Sequence, residues 1–121
     1  MRNKILMNAV ILSLLFMCTL ASVEEATTVV NSFLRHIRAK KSSEVAALLV
    51  DEPVIYLPED GSSIDKEDFL EIVNWGRWER RQFNPFPSAE VDDEKIKFCG
   101  KEITLEVSNE DQPKIQLILF H

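Results

Sequence analysis

The chain reads as a single α+β domain, and three observations lead there. Apolar residues recur at three- and four-residue spacing early in the sequence and at alternate positions in its last third. Pro, Gly and Asp clusters separate the two patterns. The folding part is also only about 100 residues long, which suits one domain with a core of its own.

Ahead of that domain stands Met1-Arg2-Asn3-Lys4, then an uncharged stretch from Ile5 to Leu20, then small residues through Ser22. A basic start, an apolar middle and a small-residue end are the layout of a secretory signal peptide. Cleavage is expected after Ala21, which makes residues 1–21 a signal peptide and residues 22–121 a secreted domain. The competing reading is a retained signal anchor. Its apolar run sits at the short end of the roughly 17–25 residues that span a bilayer, and Glu24 and Glu25 follow instead of a basic flank. A lipoprotein reading through Cys18 is weakened by the bulky Phe16-Met17 before it. No membrane association is expected after cleavage.

Loss of Arg2 and Lys4 with the leader leaves 12 basic residues against 20 acidic ones, a net charge of −8. An acidic domain without a dense basic stripe speaks against nucleic acid, whose binding depends on neutralising phosphates. Cys18 leaves with the leader, so Cys99 stands alone and no disulfide can form within the mature chain. An intermolecular disulfide is its best functional reading.

Ala26, Val29, Val30, Phe33, Leu34 and Ile37 place one apolar face on a first helix from Val23 to Lys40. Ser42 or Ser43 can cap a short second helix from Glu44 to Val50. Pro53 stops any helix, Val54-Ile55-Tyr56-Leu57 reads as a strand, and Pro58-Glu59-Asp60-Gly61 as a turn. A short strand at 62–64 precedes a third helix. Asp65 is its N-cap, Glu67 and Asp68 suit its dipole, and Phe69, Ile72, Val73 and Gly76 form one face. The helix fades at Gly76, and the prolines of Phe83-Asn84-Pro85-Phe86-Pro87 forbid regular structure.

The last third reads as a meander. A two-residue turn at Gly100-Lys101, with glycine supplying a positive φ, pairs Phe98 with Ile103, Ile96 with Leu105 and Lys95 with Glu106. A final strand follows over 114–120, with Ile115, Leu117 and Leu119 inward. Ile118 and Phe120 are apolar on its other side as well. A strand apolar on both sides wants cover on both.

Helix, helix, hairpin, helix and meander in this order resemble the nuclear transport factor 2-like superfamily, also called cystatin-like α+β. The local likeness lies in Val29-Val30-Asn31-Ser32-Phe33-Leu34, in Leu48-Leu49-Val50-Asp51, and in Ile64-Asp65-Lys66-Glu67-Asp68-Phe69-Leu70. Asp65 stands where the family's third-helix motif has a glycine. The resemblance implies a curved antiparallel sheet wrapped round a long N-terminal helix, like a cone. It does not choose an activity, because the superfamily holds isomerases, dehydratases, hydrolases, carriers and interaction domains.

Enzymes of that fold place Tyr, Asp or His inside the cone, and Tyr56 is the one tyrosine here. His36 and His121 with one thiol do not make a zinc site, and no cofactor or metal is expected. Asp92-Asp93-Glu94 lacks the spacing of a calcium loop and reads as a solvated turn. The most distinctive cluster is Trp75-Gly76-Arg77-Trp78-Glu79-Arg80-Arg81, with both tryptophans and three arginines. Trp75 falls about 120° from the helix's apolar face. Trp75, Arg77, Trp78 and Arg80, with Tyr56, are therefore candidates for a ligand or partner surface, against the alternative that both indoles fold back over the sheet. The expected function is a non-catalytic binding or interaction domain, homodimeric through its sheet, with an unknown protein or small-molecule ligand. The alternative is a small-ligand pocket protein, either a carrier or an isomerase-type enzyme using Tyr56.

Overall fold

The computed structural model describes residues 23–59 and 61–121. The signal peptide expected over 1–21 lies outside the described residues, as does Asp60. Helix α1 runs through residues 23–38, with Ala26, Val30, Phe33 and Ile37 fully buried as its periodicity predicts. Its end is a Schellman-type turn, in which Lys41 N–H reaches the His36 carbonyl at 3.1 Å while Lys40 takes φ of 60°. A lysine there occupies a conformation usually left to glycine.

Helix α2 spans Ser42–Leu48. Ser42 and Ser43 lie inside it, and Lys41 at its N-cap makes no capping side-chain bond. Strand β1 (Leu49–Leu57) follows without a loop. Pro53 lies between its two paired stretches, where the register with the last strand shifts. A proline has no N–H for a ladder, so a bulge is where it fits. Strand β2 (Ser62–Ile64) returns antiparallel after a turn closed by Gly61 N–H on the Pro58 carbonyl. Helix α3 (Lys66–Asn74) starts at Asp65, whose carboxylate accepts the Asp68 N–H at 2.8 Å. It stops because Gly76 turns left-handed at φ 81°.

Strands β3 (Ala89–Val91), β4 (Lys95–Cys99), β5 (Ile103–Ser108) and β6 (Ile115–Phe120) complete one curved, unclosed six-stranded sheet of order β2-β1-β6-β5-β4-β3. It is mixed rather than purely antiparallel, because β1 and β6 pair parallel. The described helices cover one side of it, and Phe33, Phe69, Trp78 and Phe120 fill the space between.

Two expectations about the meander are corrected. Phe98 pairs with Leu105 and Ile96 with Val107, so the turn residues are Lys101 and Glu102, not Gly100 and Lys101. Gly100 does not take a positive φ. Its lack of a side chain serves close approach instead, since a Cβ would lie 2.9 Å from the Ile103 carbonyl and 3.1 Å from the Phe86 ring. In β6, a bulge at Gln116 shifts the register between Glu106 and Val107 of the neighbouring strand. Ile115 therefore faces the core together with Ile118 and Phe120, while Leu117 and Leu119 turn outward and stay half-buried.

Candidate functional site

The ladders dictate which side chains share the outer face of the sheet. Tyr56 pairs with Leu119, Leu119 with Thr104, and Thr104 with Cys99. Two residues along, Val54 pairs with Leu117, Leu117 with Glu106, and Glu106 with Lys97. Side chains alternate along a strand, so all of these point away from Ile55, Leu57, Ile118 and Leu105 in the core. The β1–β6 part of this face is apolar. Val54 is 53% exposed and Tyr56 39%, with half-buried Leu117 and Leu119 beside them. The β3–β5 part is charged, and Lys95 reaches Glu106 at 3.3 Å across the strands. Thr104 is almost buried and hydrogen-bonds the His121 ring at 2.8 Å.

Tyr56 is thus on the opposite side of the sheet from the core, and its hydroxyl does not enter the space between sheet and helices. The strand expected over Val54–Leu57 is the second half of β1, and its alternation puts Ile55 and Leu57 inside.

The tryptophans separate. Trp75 is 79% exposed at the end of α3, as its angular position predicts. Trp78 is buried, because the left-handed Gly76 and the tight turns after it swing the chain back over the core. Glu79 N–H bonds the Gly76 carbonyl at 3.1 Å, and Arg81 N–H bonds that of Trp78 at 3.1 Å. The Trp78 indole stacks on Phe120 with centroids 4.9 Å apart, and lies 5.4 Å from Phe69. It plugs the space between Phe69, Phe120 and the sheet, leaving a niche of about 10 Å³ beside Arg77 and His121. Trp78 is core, and it leaves the candidate surface. Arg77 pairs with Glu59 and lies over the Trp78 ring at 6.0 Å from its centroid, so it braces this plug. Arg80 and Cys99 are exposed, and Cys99 is a free thiol on the outer sheet face.

Asp92 closes the β3–β4 turn. Its carboxylate accepts the N–H groups of Glu94 at 2.9 Å and Lys95 at 3.0 Å. These two bonds, with the Lys95 charge adding to them, hold its pKa below the ordinary 3.8. The half-buried His36 has its Nδ1 enclosed without a hydrogen-bond partner.

No protein-family model matches the sequence, and no curated protein does. Among solved structures, a protein from Kribbella flavida titled as a ketosteroid isomerase candidate aligns at 13% identity, over 79% of this chain and 76% of that one. The TM-score is 0.47. The likeness is one of fold. It assigns no activity to this chain.

Proposed function

We propose that this chain is a secreted, non-catalytic interaction domain of nuclear transport factor 2-like type, which pairs with a second copy of itself through the outer face of its sheet. The observation that carries the reading is the apolar row Val54, Tyr56, Leu117 and Leu119 on the side that none of the described helices covers. An apolar surface of neighbouring side chains on a small acidic domain is what an interface buries. A tyrosine at its centre suits that role, with an apolar ring for contact and a hydroxyl for the rim. Trp75 and Arg80 offer a second contact for an unidentified protein partner.

The isomerase-type alternative relied on Tyr56 donating a proton inside the cone, and that position is filled by core residues instead. Light scattering on the purified mature chain tests the main reading. A molar mass of two chains is expected, falling to one in Leu117→Lys, which puts a charge into the row. A wild-type monomer at every concentration sinks it.

A further inference from the structure

A second concave feature lies on the core side of the sheet, beside α1. It is a cleft of about 290 Å³ between α1, β4 and the irregular segment leading into β3. That is near the lower bound of about 300 Å³ for small-molecule pockets. Val30 and Phe98 form its floor, Phe86 and Pro85 its wall. None of its described lining residues is charged, in a chain where 28% of residues are.

The wall is held from several directions. Asn84 gives its backbone N–H to one Glu102 carboxylate oxygen at 3.2 Å and its side-chain N–H to the other at 3.1 Å. The Phe86 ring stands edge-on to Phe98 with centroids 5.7 Å apart, in the space Gly100 leaves free. Pro85 and Pro87 fix φ on either side of it. A segment without ladder bonds is thereby set in one place, and a preorganised wall lowers the ordering cost of binding. Two polar side chains of the lining have no partner among the described residues. The Thr27 hydroxyl bonds the Val23 carbonyl at 2.8 Å, but the Asn31 amide and Ser88 hydroxyl bond no other described residue.

We infer that this cleft binds an uncharged, ring-bearing small molecule with one hydrogen-bonding edge. The ring lies against Phe86, Phe98 and Val30, and the polar edge meets Asn31. A charged ligand would lose water without gaining a counter-charge, so it is disfavoured. The inference takes up the small-ligand alternative at residues the sequence did not single out. It is independent of pairing through the outer face.

The test is an amide-shift titration of the ¹⁵N-labelled mature chain with indole, 1-methylindole and indole-3-carboxylate. Indole is expected to give saturable shifts confined to Asn31, Ser88, Phe98 and their neighbours, with the carboxylate at least tenfold weaker. Asn31→Ala should weaken indole roughly three- to tenfold, the worth of one neutral hydrogen bond, and leave 1-methylindole unchanged. Ser88→Trp, at an exposed position, should fill the cleft and abolish the shifts while leaving the molar mass as in the wild type. Shifts that do not saturate or spread over the molecule, equal binding of the carboxylate, or unchanged binding in Ser88→Trp would each overturn the inference.

Discussion

Trp75 and Trp78 stand three positions apart and meet opposite fates, which the residue scale explains. Trp75 is still governed by helical geometry, and its angular position alone puts it outside the apolar face. Trp78 lies beyond Gly76, where the left-handed turn, not periodicity, decides direction. The first was legible and the second was not, because no local pattern encodes the path of a tight turn. Trp78→Ala removes a ring stacked on Phe120 and should cost about 3–5 kcal/mol. Trp75→Ala should change stability by no more than about 0.5 kcal/mol. Urea denaturation of both variants checks the contrast. Asp92 makes a further residue-scale prediction. Its folded-state pKa is depressed, so its stabilisation is present above the ordinary 3.8 and is lost as pH falls through the folded value. Asp92→Asn should therefore flatten the acid limb of the stability profile below about pH 4.

Among the elements, the β4–β5 hairpin separates what alternation encodes from what it leaves open. Ile96 and Phe98 were rightly set against the apolar face of β5. Ile103, Leu105 and Val107 repeat every second residue, however, so sliding the pairing by two positions preserves every face. The turn has to choose, and it is chosen from outside the hairpin: Phe86 occupies the space over Gly100. That contact joins segments distant in sequence and leaves no local trace. Gly100→Ala should cost about 1–3 kcal/mol through overpacking, measured by thermal or urea denaturation. Cross-strand NOEs should pair Phe98 with Leu105. A Phe98–Ile103 pair would restore the turn at Gly100-Lys101. The bulge at Gln116 teaches the same lesson in β6, where an apolar run with both faces filled gave no hint of which residues exchange sides. The helices were more legible, because α1 and α3 each bury a periodic stripe and Asp65 caps as its side chain suggests.

Across the described residues of the molecule, one side of the sheet is packed by three helices and the other carries an apolar row that none of them covers. The aromatic cluster of Phe33, Phe69, Trp78 and Phe120 fills the interior beneath the helices. The proposed pairing uses the outer face, and the proposed small-molecule site is the cleft beside Phe86. The sequence already pointed to a two-sided need for cover in β6, but not to Leu117 and Leu119 as its outward residues. The most direct test is an isotope-filtered NOE experiment on a sample mixed from labelled and unlabelled mature chains. Pairing through this face gives intermolecular NOEs between the Tyr56 ring and the methyl groups of Leu117 and Leu119. Intermolecular NOEs confined to other surfaces, or none from a chain that stays monomeric, would contradict it.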